Sequence, residues 1–326
     1  MRRILVAAAA CLVVAWPGAV IASPARARNR ASGASDVSVA TCNRECLYGY
    51  LNQYLKALAA KNPAGLPLAA NVNFSENNVM MKVGDGLWNT ITAIGSGGVQ
   101  FADVPEAEVG YLGVVQEGKM NSPFAMRMKI RDNKIVSIET VVARSTGTFP
   151  QPTLDHFAKR HWFEGMLPPN ERSPREKMIE LVEGYFDTLQ RNNGTIHTVF
   201  DPDCNREENA MQSTNNPNNH IFPVTSLGCE AQFKTGYFWY DDRVRSRDFP
   251  VVDVERGLIQ ARAFIDHSAN VDKYKLTDGR ELETAFHTPS SLCILELFKI
   301  RDGKIYQIEA TMAQVPYNMP SIWSPR

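Results

Sequence analysis

No stretch of this 326-residue chain carries the signatures of the common cofactor-using catalysts. It lacks a glycine-rich phosphate loop, a serine in a nucleophile elbow, a histidine pair at metal-binding spacing and a dinucleotide fingerprint. The spacing therefore gives no reason to expect a nucleotide, a metal or any other cofactor. Surplus charge is missing too, with 35 Lys and Arg against 35 Asp and Glu. A chain that binds nucleic acid needs a basic excess to neutralise phosphates, so nucleic acid is not an expected partner. After the first 22 residues no apolar run is long enough to cross a bilayer. No polar low-complexity tract argues for disorder, and the length suits two domains of ordinary size.

What is present begins with the N-terminus. Arg2 and Arg3 precede the apolar run Ile4 to Ala15, then Pro17-Gly18 and the small-residue end Val20-Ile21-Ala22. That order of charged, apolar and cleavage regions is a secretory signal over residues 1–22, and it predicts a secreted or periplasmic protein with no membrane attachment after cleavage. Removing Arg2 and Arg3 leaves 33 basic residues (35 less 2) against 35 acidic, a balance of −2. Export changes the reading of the cysteines, because disulfides persist in oxidising compartments. Cys42 and Cys46 stand one helical turn apart, and Cys204 and Cys229 flank the Asn-rich stretch Gln212 to Asn219. These four are the disulfide candidates. Cys293, in the apolar run Ser291 to Leu295, reads as a buried small hydrophobe. No histidine shares ligand spacing with the cysteines, so zinc is not expected there.

The organisation rests on a repeat. Lys129-Ile130-Arg131-Asp132-Asn133-Lys134-Ile135 returns, one residue changed, as Lys299-Ile300-Arg301-Asp302-Gly303-Lys304-Ile305, and each copy runs on to Ile-Glu, at Glu139 and Glu309. The apolar stripes Leu47, Leu51, Tyr54, Leu58 and Met178, Val182, Tyr185, Leu189 predict one helix at the head of each copy. Alternating segments ending in Asp-Asn and Asp-Gly turns predict a closing hairpin in each. Residues 23–40 read as a flexible leader, 41–148 as a first domain, 149–173 as a Pro-rich linker, 174–315 as a second domain and 316–326 as a tail.

With Phe249 to Gly257 and Phe264-Ile265-Asp266-His267 in the second copy, and the Cys42-to-Tyr54 helix and Gly84-Asp85-Gly86-Leu87-Trp88 in the first, each half resembles the SnoaL-like, nuclear-transport-factor-like superfamily. The resemblance implies an α+β fold of two tandem cone-shaped barrels, each a long N-terminal helix packed on a curved antiparallel sheet. It implies no particular activity, since that fold hosts many chemistries.

The search for chemistry is then a search for a polar group on an apolar sheet face. Aligned in register, Met126 of the first copy becomes Glu296 in the second. A carboxylate there has its charged form disfavoured, which suits proton transfer near neutrality. The alternative is a cross-strand ion pair with Arg262. His287, just before that strand, is the expected acid–base partner, and Glu309 is a further catalytic candidate. Tyr185, Tyr237, Trp239 and Arg262 are the expected substrate contacts. His267 and Asp266 point to opposite faces and are not a dyad. The leading expectation is a cofactor-independent lyase or isomerase acting on a small apolar or aromatic molecule. The alternatives are a secreted binding or oligomerising module without chemistry, and a hydrolase using carboxylate-activated water.

Overall fold

The computed structural model describes residues 42–144, 150–284 and 286–323; the expected signal peptide and leader lie outside them. The first half runs α1 (Arg44–Ala59), β1 (Leu68–Glu76), β2 (Val79–Met81), α2 (Leu87–Thr90), β3 (Ile91–Ile94), β4 (Val99–Asp103), β5 (Glu108–Glu117), β6 (Met120–Arg131) and β7 (Lys134–Val142). The second runs α3 (Arg175–Arg191), β8 (Phe200–Glu208), β9 (Met211–Gln212), α4 (Cys229–Lys234), β10 (Arg243–Asp253), β11 (Leu258–His267), β12 (Lys273–Lys275), β13 (Glu281–Glu283), β14 (Ser290–Arg301) and β15 (Lys304–Val315).

The expected pair of helix-packed, antiparallel cone barrels is not what forms. The chain is mostly strand, 41% against 18% helix, with four helices among the described residues. The larger sheets are mixed, ordered β2-β1-β7-β6-β5-β3 with β4 on β5, and β10-β11-β14-β15-β8-β9. The pairs β1–β7 and β8–β15 are parallel, and β12–β13 form a separate hairpin. The reason lies in the long alternating segments, which commit most of each half to a period of two. The helical stripes are confined to one element apiece.

The repeat itself is visible as topology. Read from β9 to β10, the second sheet follows the strand order of the first. Both closing turns take the left-handed conformations that Asn, Asp and Gly tolerate, with Asp132 and Asn133 at φ 49° and 57°, and Asp302 and Gly303 at 49° and 69°. Asn43 caps α1, its side chain accepting from the Cys46 amide at 3.0 Å.

Three apolar layers result. One lies between α1 and the first sheet, around Leu51, Tyr54, Trp88, Met126 and Ile138. A second lies between α3 and the second sheet, around Tyr185, Phe233, Ile259 and Phe298. The third joins the two sheets through Phe101, Leu112, Ala125, Phe264, Leu295 and Leu297, with Phe157 and Phe163 of the linker. Contacts at its edge are reciprocal. Arg44 at the start of α1 bonds Asp253 at the end of β10, and Arg175 at the start of α3 bonds Asp103 at the end of β4 at 2.6 Å. Asp253 in turn accepts from the Ala102 amide at 3.0 Å, and Asp103 from the Val252 amide at 2.9 Å. Such an exchange of equivalent contacts is the mark of an approximate two-fold relation between the halves.

The four cysteines pair as the spacing suggests, Cys42 with Cys46 and Cys204 with Cys229, while Cys293 is free and buried. The second bridge closes 25 residues and ties β8 to the start of α4. Chain-entropy arguments give such a loop about 3 kcal/mol. Replacing Cys204 and Cys229 together by serine is expected to lower unfolding free energy by about that amount, read as an earlier urea midpoint with a steeper slope, because the uncrosslinked denatured chain exposes more surface.

Candidate ligand cavity

Position by position, the second half is hollow where the first is filled. Aligned by register, Met126, Phe74 and Trp88 occupy the first interior. At the first two of these places the second half carries Glu296 on β14 and Arg206 on β8. The resulting cavity has a volume of about 550 Å³, well within the range for small-molecule sites. Its apolar wall includes Leu189, Phe238, Ile265, Leu292, Ile294, Ala310 and Met312. The first half is not mere scaffold: Asn121, Pro123, Val142 and Ala143, with Pro150 and Pro152 of the linker, line the same space.

Glu296 stands on the inner face of β14 beside Ala261 and Ala310, 2% exposed. Small neighbours on both flanking strands leave its carboxyl facing the cavity. The Tyr185 hydroxyl donates to Oε1 at 3.0 Å. Burial raises the Glu296 pKa to about 7, opposed by the Arg206 cation and the Tyr185 bond and reinforced by Glu208. Arg206 organises this floor. Its Nε donates to the Tyr185 hydroxyl at 3.2 Å, Nη1 to Gln232 at 3.1 Å and Nη2 to Glu208, and the guanidinium lies 4.7 Å from the Phe238 ring centre. Glu208 is itself held above the usual carboxylate range by burial.

A second polar group lines the space farther along. His267, at the end of β11 and 1% exposed, bonds Asp241 through Nε2 at 2.8 Å. Its ring stacks on Phe286 at 3.9 Å, 5° from parallel. Nδ1 is buried with no partner among the described residues. Asp241 is pushed upward by burial and drawn back by its bond to His267. If the Nε2 proton is donated to Asp241, Nδ1 presents a lone pair to a ligand. His267 pairs with Ser290, six residues from Glu296 along β14, roughly 20 Å of extended strand. The two groups therefore stand at opposite ends of the cavity.

Several expectations are corrected here. Arg262 does not meet Glu296; it faces the intersheet layer, where Nη1 bonds Glu139 of the first half at 2.8 Å and Nη2 bonds Asp248. Alternation explains this, since Arg262 pairs with Leu295, one residue out of phase with Glu296. Glu309 is likewise on the outer face, beside Glu207 and His156 rather than in the cavity. Trp239 is 52% exposed and Tyr237 packs among Phe222, Phe238, Tyr240 and Tyr274, so neither lines the space. His287 does line it, but from an exposed position at the rim. Tyr185 of α3 and Glu296 of β14 meet at the floor of the cavity, a contact the sequence reading did not anticipate.

Arg206, Glu208, Asp241 and His267 were not singled out by the sequence. Arg206 was accessible to the comparison that found Glu296, because it replaces Phe74 on an inner face. Asp241 sits in a run of charges that reads as a solvated turn, yet it is 7% exposed. His267 draws its carboxylate from 26 residues upstream, not from adjacent Asp266, which is occupied by Arg243, Arg245 and Ser291.

No curated protein matches the chain. One solved structure with a match is the crystal structure of a de novo designed protein with curved beta-sheet, 16% identical over 31% of this chain and 87% of that one, with a TM-score of 0.25. Residues 171–312, which hold Tyr185, Arg206, Glu208, Asp241, His267 and Glu296 together, are similar to a family described as a domain of unknown function (DUF8021).

Proposed function

We propose that the second half is a cofactor-independent lyase or isomerase that moves a proton on an elongated, largely apolar or aromatic molecule carrying a hydroxyl group. The observation that carries this reading is Glu296, a buried carboxyl facing a cavity of about 550 Å³ with a pKa brought to about 7. A group so poised is part base and part acid at neutral pH, the condition under which proton transfer is fastest in both directions. As the carboxylate, steadied by the Tyr185 hydroxyl that Arg206 holds, Glu296 takes the proton as the C–H bond breaks and its bonding pair moves into the ligand's conjugated system. The carboxylic acid so formed returns the proton to another carbon in isomerisation or to the departing group in elimination. His267, oriented by Asp241, accepts a hydrogen bond from the ligand hydroxyl through Nδ1 and fixes which carbon meets Glu296. His267 orients the ligand in this reading, whereas the sequence suggested His287 as an acid–base partner of Glu296. The aromatic ring of Phe286 against His267 and the apolar wall favour a flat ligand. The paired cysteines fit an exported protein working in an oxidising compartment.

Binding is tested with α-tetralone, which reaches Glu296 alone, and with the elongated 6-(4-hydroxyphenyl)-α-tetralone, which carries a hydroxyl toward His267, followed by native mass spectrometry and calorimetry. One equivalent of each is expected to bind, and Ala310→Phe, which fills the space beside Glu296, is expected to abolish both. His267→Asn is expected to weaken the hydroxylated probe about tenfold, the worth of one hydrogen bond, while leaving the parent ketone unchanged. Equal affinity of the wild type and Ala310→Phe for these probes contradicts the reading.

A further inference from the structure

The outer face of the second sheet carries a cluster that the cavity does not use. β8 and β15 run parallel and set Glu207 directly beside Glu309, with side chains buried between sheet and linker. Two adjacent buried carboxylates repel, and each needs positive charge nearby to stay ionised. The linker brings His156 to this place, Nε2 3.0 Å from Glu207 Oε2. One ligand atom from each of His156, Glu207 and Glu309 lies within 4.8 Å of the other two. Around a first-row cation, ligand atoms at about 2.0–2.2 Å from the metal stand about 3–4 Å apart, so an inward shift of under about 1 Å suffices. A fourth polar group adjoins them. Gln307, fully buried, lies with Nε2 3.5 Å from Glu309 Oε1, and its own Oε1 has no partner among the described residues.

The two-fold relation shows what is missing. In the first half the equivalent Glu139 is balanced by Arg127 at 2.9 Å and by Arg262 at 2.8 Å, and Ser75 stands where the second half has Glu207. Around Glu309 the positions equivalent to those arginines hold Leu297 of the second half and Leu112 of the first. A carboxylate has been added and both cations removed. Arg160 contacts Glu207 from the solvent side, its side chain 20% exposed, and among the described residues it makes no ion pair with Glu309. Arg160 acts on Glu309 through space rather than by an ion pair, so a single arginine is shared between two carboxylates where the first half sets two arginines on one. We propose that His156, Glu207 and Glu309 bind a first-row divalent cation, zinc in the first instance, with Gln307 Oε1 or water completing the shell. The cation displaces Arg160 toward solvent and fastens the linker to the second sheet. Because Pro150 and Pro152 of that linker wall the cavity, it also steadies the ligand site from behind. Sequence spacing hides the set, since His156 and Glu207 are 51 residues apart.

The test uses the whole mature chain stripped of metal by a chelator, then titrated with Zn²⁺ by calorimetry and with Co²⁺ by visible absorption. One equivalent is expected, with a Co²⁺ band and a higher melting temperature. Glu309→Gln, which keeps shape and volume, is expected to lower affinity at least tenfold and to abolish the thermal shift; His156→Ala is expected to do the same. Arg160→Gln is expected to raise affinity several-fold, because it removes the competing cation. Glu296→Gln, on the other face, is expected to bind metal as the wild type does. The proposal is overturned if the wild type binds no more tightly than Glu309→Gln, or if Arg160→Gln weakens binding, which would make the cluster an arginine-closed ion pair.

Discussion

Arg206→Met is expected to cost the protein about 3–5 kcal/mol at pH 8, the usual penalty for leaving a buried charge without its partner. The residue is 4% exposed and serves three acceptors at once, Glu208, Tyr185 and Gln232, while its guanidinium covers Phe233 and Phe238. Methionine preserves much of the apolar contact and none of the charge. Glu208 is then buried near Glu296 with no cation between them. The loss is expected to shrink at pH 5, because both carboxyls are already disposed to hold protons and a protonated Glu208 needs no counter-charge. Lysine is not expected to rescue the site, since an ammonium cannot meet three acceptors in the geometry of the planar fork. Urea titrations at the two pH values measure both effects.

Glu296→Gln is expected to do the opposite to stability while removing function. The Glu296 carboxyl has a raised folded-state pKa, about 7 against 4.5 for the ordinary group. Between those values the folded state holds a proton that the unfolded state releases, so stability falls as pH rises through the window and levels off above 7. At about 1.4 kcal/mol per pH unit the penalty reaches about 3 kcal/mol. Glutamine does not titrate and still accepts from Tyr185. The variant is therefore expected to gain about 3 kcal/mol relative to the wild type between pH 4.5 and pH 8. Proton transfer is expected to fall by about 10² to 10⁴, the usual contribution of a positioned base. That combination, higher stability on neutralisation with loss of turnover, is the outcome expected of a carboxyl retained for proton transfer.

Much of this arrangement could be read from residues. The repeated hairpins fix both closing turns and the strands on either side of them, because Asp-Asn and Asp-Gly allow the left-handed pair that a two-residue connection demands. Substitution of Met126 by Glu296 in matched register identifies the inner face and the half that carries a buried carboxyl. Pairing of the cysteines follows from their spacing. The balance of strand over helix was not legible, because a helical stripe at the head of each copy says nothing about how many short strands follow. The role of Arg262 was misread for a geometric reason: a one-residue change of phase sends a strand side chain to the other face, here into the layer between the sheets. Asp241 and His267 meet only because the segment before β10 folds back over the end of β11, with the Asp242 amide bonding the Asp266 carbonyl at 2.8 Å. No local pattern announces that return. His156 reaches Glu207 by the same kind of long-range closure.

The central claim is that Glu296 moves a proton on a ligand held in the cavity, and it is tested most directly by following exchange of the α-protons of α-tetralone with deuterium oxide by NMR at pH 7. The wild type is expected to accelerate exchange over buffer with saturation in the ketone, and Glu296→Gln to reduce that acceleration by at least 10² while binding the ketone as before. Exchange in the wild type no faster than in buffer, or equally fast in Glu296→Gln, would contradict it.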